Sequence, residues 1–289
     1  VAEKEGAVRL ITEPTVLVVA SMALDTEGMN QLLDWVRDYR PECVPTDLPA
    51  DAEDRAMALF PHGGKEAARA LTDNELLVEL AGRSCYHSYG LRAGRKSNVE
   101  YVRHMLFPAE AGSLPHASTA YHAKMTFFIA GVSRRVSHEL IRHYVGADRT
   151  EEGSPSQEST RYTFHPGHFA VPPYYVEHDL LDPYEKHCQA FYDAYRRFIT
   201  GRTTAFFEAH GRSPVGIERK RIYEAAAGLL PMQACTSFLW TTNPIALNKL
   251  FAERCSPAAD GEFQRLARKW QEVARARWPA LFPPAPVGQ

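Results

Sequence analysis

Two short apolar runs, Val8 to Ile11 and Val16 to Ala20, flank Pro14 and predict strand, turn, strand. Residues 23–61 are charged and interrupted by Pro41, Pro45, Pro49 and Pro61, which leaves room for a short helix over 27–38 and then a loop-rich connection. Leu76, Leu77 and Leu80 recur at helical spacing behind two candidate N-caps, Thr72 and Asp73, and predict a helix over 72–86 that carries Arg83-Ser84-Cys85-Tyr86. From Thr126 to Val145 the pattern reads as one helix, with Ile129, Val132, Val136 and Leu140 on a core stripe and Arg135, His138, Glu139 and Arg142 on the neighbouring one. Chain breakers fill 146–155, and a Pro, His and Tyr-rich loop runs on to Tyr175. Helices are predicted at about 183–209, 216–229, 244–254 and 262–277, followed by a Pro-rich tail expected to be disordered. No internal repeat is visible.

Composition narrows the class. The chain has 289 residues, 45% apolar and 11% aromatic, enough to bury a real core in one large domain or in a domain with an N-terminal addition. The formal charge is −2 and basic residues are not gathered in one block, so no general electrostatic grip on nucleic acid is expected. No apolar run approaches the ~20 residues needed to span a bilayer, and Val1 to Gly6 is charged rather than signal-like, so a cytoplasmic protein with no membrane partner is expected. Five cysteines, Cys43, Cys85, Cys188, Cys235 and Cys255, are widely spaced without a CxxC pair, which reads as reduced thiols and no metal site.

The candidate chemistry is concentrated between 135 and 161. Arg135, Arg142, Arg149 and Arg161 lie there with His138, His143 and small hydroxyl residues. Guanidinium forks match phosphate oxygens in pairs, so an anionic ligand is one reading; a solvated helix face with charge pairs four residues apart is the other. In the segment opened by Asn243-Pro244, Leu247, Leu250, Phe251 and Arg254 share one stripe, which aims a guanidinium the same way as core side chains. Such a charge needs a partner, either a carboxylate or a ligand carbonyl or phosphate. Asn243 itself suits an N-cap with Pro244 at the first helical position.

Three ordered blocks then carry a resemblance. The run from His122 to Arg134, the run Ser137-His138-Glu139-Leu140-Ile141-Arg142-His143, and Ser156-Gln157-Glu158-Ser159-Thr160-Arg161-Tyr162 together resemble the central signature of the flavin-dependent thymidylate synthases, the ThyX family. Leu230-Pro231, Thr236, Trp240, Asn243, Leu247 and Arg254 resemble its C-terminal block. The likeness covers roughly 76–277. It implies an α+β fold, a ThyX-like subunit with long helices packed on a mixed or antiparallel sheet, assembled as an intertwined homotetramer with shared sites. On this basis 1–75 is an N-terminal extension of strands and a loop-rich segment, 76–278 the catalytic domain and 279–289 a Pro-rich tail.

The resemblance further implies FAD, NADPH and 5,10-methylenetetrahydrofolate as cofactors and a small uracil nucleotide as acceptor, methylated at C5. Carried over by position, Arg142, His143 and Asn243 contact FAD, together with Tyr144, His116, Cys85 and Lys249. Ser159 and Arg161 hold the nucleotide phosphate, with Gln157, Glu158 and Glu139 nearby, and Arg254 addresses the uracil ring, where it stabilises charge on the carbonyls. Ser159 and Arg254 are the candidate catalytic residues. Nothing resembling GxSxG surrounds Ser159, which favours a phosphate ligand over a nucleophile.

Four departures from the family pattern stand out. Tyr144 replaces the third residue of an Arg-His-Arg triplet, extra residues separate it from Ser156, Ala227 and Ile245 stand where arginines are usual, and Glu139 replaces a glutamine. These point to an altered substrate, and the UMP 5-methylases of polyoxin-type nucleoside antibiotic biosynthesis form a ThyX-like branch that takes the ribonucleotide. Against this stand an ordinary dUMP-specific enzyme, a flavin or nucleotide-binding scaffold without turnover, and a hydrolase using Ser159 and His143.

Overall fold

The structure, a computed structural model, describes residues 6–60, 70–94, 96–107, 116–144 and 155–282. In chain order the elements are β1 Arg9–Ile11, β2 Thr15–Ser21, α1 Thr26–Tyr39, α2 Ala52–Ala56, α3 Asp73–Tyr86, α4 Asn98–Leu106, α5 Ala117–Ala120, β3 Met125–Ser133, α6 Arg134–Tyr144, β4 Ser156–Gln157, β5 His168–Ala170, α7 Pro173–Glu177, α8 Leu181–His210, α9 Ile217–Ala227, β6 Cys235–Thr242, α10 Pro244–Arg254 and α11 Gly261–Arg277. Strands β2, β3, β6 and β4 form one sheet in that order, with β4 antiparallel to β6, and β1 pairs parallel with β5. The α+β class stands, and residues 7–22 do form strand, turn, strand.

The expected single helix over 126–145 is corrected. Its first half is β3, whose buried positions alternate through Met125, Phe127 and Ile129 before shifting to Val132. The shift falls at Gly131, which has φ of +73°, where a Cβ would come within 3.0 Å of Ile11. A bulge-like extra residue of this kind resets which face points inward. Ile129, Val132, Val136 and Leu140 are all buried, but across a kinked strand and the helix after it. The spacing of 3, 4 and 4 imitated one helical stripe.

The chain divides into two compact units, one of Val1–Leu17, Phe127–Trp240 and Leu250–Lys269, the other of Val18–Thr126, Thr241–Lys249 and Trp270–Gln289. In the first unit Tyr184, Cys188, Tyr192, Tyr195 and Ile199 of α8 form an apolar stripe against Phe169, Val171, Ala226 and Ala234. Two of the buried phenols there use their hydroxyls: Tyr184 donates to the Ala170 carbonyl, and Tyr195 accepts the His165 N–H at 2.9 Å.

In the second unit α1 buries Met29, Leu33 and Val36, spaced four and three apart, and Asp25 caps it by accepting the Gly28 N–H. Helix α3 opens with a capping box in which Thr72 and Glu75 satisfy each other's backbone N–H groups. The same helix carries a fully buried ion pair, its partners four residues apart. Arg83 donates to Glu79 at 2.7 Å and to the carbonyls of Ser88 and Ala93 at 3.0 and 3.1 Å, while Asn98 donates to the other Glu79 oxygen at 2.8 Å. The guanidinium lies 4.1 Å from the centre of the Tyr101 ring. Burial pushes the Glu79 carboxyl pKa above the ordinary range despite Arg83. Among the described residues no helix is long and apolar enough to cross a membrane.

Candidate functional site

Helix α6 presents Arg135, Glu139 and His143 on one stripe, each four residues from the next, and Arg254 meets that stripe from the end of α10. Arg254 Nε donates to His143 Nε2 at 2.8 Å and Nη1 donates to Glu139 at 3.2 Å. An arginine N–H can only donate, so His143 accepts at Nε2 and carries its ring proton on Nδ1, which lies 4.0 Å from Glu253. The guanidinium also stacks 4.9 Å from the centre of the Phe263 ring, and His143 meets the same ring edge-on. Arg254 is thus held on three sides, with Nη2 unengaged among the described residues.

Arg254 has the carboxylate partner that its inward direction required, and Glu139 is paired by Arg254, with Arg135 3.9 Å away. Arg135 is turned to Asp260 and Glu262, and Glu262 accepts the Ser133 N–H at 2.8 Å, which braces the start of α6. His138 and Arg142 face outward and are exposed. The Tyr144 side chain and the insertion through Ser154, with Arg149, lie outside the described residues.

The Ser156 to Tyr162 segment forms a second group in the same unit. Gln157 donates to Ser137 Oγ at 2.9 Å and Thr236 Oγ1 at 3.1 Å. Glu158 is fixed by its backbone, donating to the Ser237 carbonyl and accepting from Arg134. The Ser159 carbonyl accepts from Tyr162 and Thr163 in a tight turn, and Arg161 projects outward beside Glu224. No hydrogen bond joins Ser159 to His143 among the described residues, and His143 Nε2 is committed to Arg254, so the hydrolase arrangement of nucleophile and base is not assembled. Glu158 also lines a cleft of about 440 Å³ with Arg9, Glu13, His168 and Cys235. There His165 is neutral: Nε2 donates to the Cys235 carbonyl, Nδ1 accepts the Gly167 N–H, and burial lowers its pKa to about 4.

The remaining candidates belong to the second unit. Cys85 is exposed and lines a pocket of about 390 Å³ whose wall is Leu77, Leu80 and Ala81 and whose polar rim is Ser84, Ser118, Thr119 and His122. His116 is not in that lining; its N–H donates to the Met105 carbonyl and its ring meets Tyr86 edge-on. Asn243 is buried and its Oδ1 accepts the Ala246 N–H at 3.0 Å, the N-cap expected from Asn-Pro. Lys249 is exposed on α10. The sequence reading missed Phe263 and His122. His122 opens the first run of the family resemblance, whereas nothing in the residue order marks Phe263 as the ring beneath Arg254. Cys235 is buried, and burial raises its thiol pKa.

Comparisons with known proteins agree on one family. Residues 68–280 match Thy1, described as thymidylate synthase complementing protein. The flavin-dependent thymidylate synthase of Mycolicibacterium vanbaalenii is 34% identical over 194 residues, 66% of this chain and 71% of that protein. That of Mycobacterium marinum is 32% identical over 210 residues, 72% of this chain and 78% of its own. Among solved structures, the UMP/dUMP methylase PolB from Streptomyces cacaoi bound with 5-Br UMP aligns over 95% of both chains at 16% identity with a TM-score of 0.54. Thymidylate Synthase X from Helicobacter pylori, with FAD and dUMP, aligns over 72% of this chain and 92% of its own at 20% identity with a TM-score of 0.50. The two structures share the fold, and the sequence matches decide membership: the chain belongs to the Thy1 family of flavin-dependent thymidylate synthases, which are enzymes.

Proposed function

We propose that this protein methylates C5 of a uracil nucleotide, UMP or dUMP, in an FAD-dependent reaction that draws its carbon from 5,10-methylenetetrahydrofolate. The observation that carries the reading is Arg254, held by Glu139, His143 and Phe263 at the position where the family signature has its helix-end arginine. A guanidinium fixed in advance stabilises charge on a ring carbonyl without having to reorganise, and this raises the nucleophilicity of C5. Nη2 is the group left to meet that carbonyl. Ser159 and Arg161 are assigned to the nucleotide phosphate, with Gln157, Glu158 and Glu139 around them. The extra residues after Tyr144, together with Glu139 in place of a glutamine, are what we assign to accommodating or hydrogen-bonding the ribose 2′-hydroxyl.

The donor set also suits a flavin. The pocket beside Cys85 pairs an apolar wall with hydroxyls and an imidazole, the mixture that a flat heterocycle with a polar rim requires. Arg142 is exposed and available to a pyrophosphate, and we assign His143, Tyr144, Asn243, His116, Cys85 and Lys249 to the same cofactor. When bound, FAD reduced by NADPH supplies the hydride that completes the methyl group as the C5 proton is lost. The protein residues orient both ligands and exclude water.

Further parts of the reading rest on the family and on the fold likeness to PolB. We propose a cytoplasmic homotetramer with sites shared between subunits, an N-terminal extension over 1–75, a catalytic domain over 76–278, a Pro-rich tail over 279–289, and a role in nucleoside antibiotic biosynthesis. The PolB alignment spans 95% of each chain and so reaches into the first 75 residues. The deciding measurement is anaerobic turnover of the FAD-loaded protein with methylenetetrahydrofolate, NADPH and either nucleotide, read by nucleotide mass. A gain of one CH₂ on UMP supports the antibiotic-type branch, and gain on dUMP alone an ordinary thymidylate synthase. No gain on either, with FAD bound, would reduce the protein to a scaffold and refute the reading.

A further inference from the structure

Arg161 leaves the turn after β4 and meets helix α9. Its Nη1 lies 3.7 Å from one oxygen of Glu224, and Lys220 Nζ lies 3.0 Å from the same oxygen. Both cations also stand against one aromatic ring, Arg161 at 5.7 Å and Lys220 at 5.8 Å from the centre of Tyr162, and that ring is exposed. Two positive charges from different elements therefore converge where a single carboxylate balances only one of them. Lys220 sits in the first turn of α9, and the carboxylate of that turn, Glu218, is taken by Arg212 rather than by Lys220. Lys220, Glu224 and Ala227 are spaced four and three apart and share one face of α9, and at the far end of that face Ala227 offers no charge.

An exposed ion pair of this kind is worth little in water, so neither cation is strongly committed to Glu224. A phosphate monoester brings nearly two negative charges and three acceptor oxygens, and can engage the Arg161 fork and the Lys220 ammonium together. We propose that Lys220 is a ligand of the nucleotide 5′-phosphate, acting with Arg161, and that Glu224 holds the two cations together until the phosphate arrives. This rests on the uracil-nucleotide reading above. It supplies a cation on the face of α9 where Ala227 provides none.

The test uses the full chain loaded with FAD, comparing wild type, Lys220→Gln, Lys220→Arg and Glu224→Gln. Binding of UMP, dUMP, uridine and inorganic phosphate is measured alongside KM, kcat and flavin content. Lys220→Gln is expected to weaken UMP, dUMP and inorganic phosphate by about tenfold, the size of one lost charge-assisted contact. Uridine affinity, flavin content and kcat are expected to stay near wild type, Lys220→Arg to restore most of the loss, and Glu224→Gln to tighten UMP. Unchanged UMP affinity in Lys220→Gln, or an equal loss for uridine, would overturn the proposal. So would loss of FAD with nucleotide affinity intact, which would move the cation to the flavin pyrophosphate. A wild-type protein that binds neither nucleotide sinks the functional reading and this one with it, whereas wild-type binding with an unaffected variant sinks this one alone.

Discussion

Arg254 donates its Nε hydrogen to His143 Nε2 at 2.8 Å, so one hydrogen bond fixes both the direction of a guanidinium and the tautomer of an imidazole. Replacing His143 by glutamine keeps an acceptor within reach of Arg254, and turnover is expected to stay within about threefold of wild type; leucine removes the acceptor and is expected to cost about tenfold in kcat/KM. Arg254→Ala is expected to lose about a hundredfold or more. Steady-state kinetics on the three variants decide it, and a leucine variant as active as wild type would show that the contact positions nothing.

The Glu79 and Arg83 pair makes a stability prediction. Both side chains are fully buried, and Arg83 also ties down the carbonyls of Ser88 and Ala93. Removing either partner leaves an uncompensated charge, so Arg83→Met or Glu79→Leu is expected to destabilise by about 3–5 kcal/mol, with the double substitution less costly than the sum of the two. Urea titrations followed by circular dichroism measure this; additive losses near 1 kcal/mol each would contradict the pairing.

His165 predicts an acid weakness. Its pKa in the folded state is about 4, below the ~6.5 of an unfolded histidine. Between these values the unfolded chain binds more protons than the folded one, so the stability present above pH ~6.5 is lost as the pH falls through 4, by up to about 3 kcal/mol. His165→Gln, which keeps a donor and an acceptor, is expected to flatten the pH dependence of unfolding in that window. An unchanged slope would place the titration elsewhere.

The thiols should sort by burial. Cys85 is exposed, while Cys43, Cys188 and Cys235 are buried and burial raises the pKa of each. Maleimide at neutral pH is expected to modify Cys85 well before those three, and bound FAD to slow it. Labelling of Cys85 indifferent to FAD would remove that pocket as the flavin site.

How much of this was legible depended on what each residue had to touch. Helices α3, α8 and α11 were visible because their apolar stripes and caps are local. Asn243 as a cap and Arg254 as an inward charge needing a partner were visible for the same reason. Strand β3 was not, because the positive φ at Gly131 moved the next buried residue to a spacing that a helix also produces. Strand β6 and the ring of Phe263 went unseen as well. Their roles come from neighbours far along the chain, and no local pattern records which aromatic lies under a guanidinium. The four polar α6 residues share one stripe by periodicity; the fold separates them into Arg135 and Glu139, which are engaged, and His138 and Arg142, which are outward, because partners at the end of α10 and at the start of α11 select a narrower face than periodicity does.

Strand β3 passes into α6 with no intervening loop: Ser133 ends the strand, its N–H is taken by Glu262, its Oγ accepts the Val136 N–H, and Arg134 begins the helix. The sheet therefore sets the angular phase of α6. One residue inserted at the junction would turn Glu139 and His143 by ~100° about the helix axis, away from Arg254. Extra residues beyond Tyr144 leave that phase untouched. Length can vary after the helix but not before it, and the added segment between Tyr144 and Ser156 falls on the side of α6 where chain length is free to change without rotating the residues that grip Arg254.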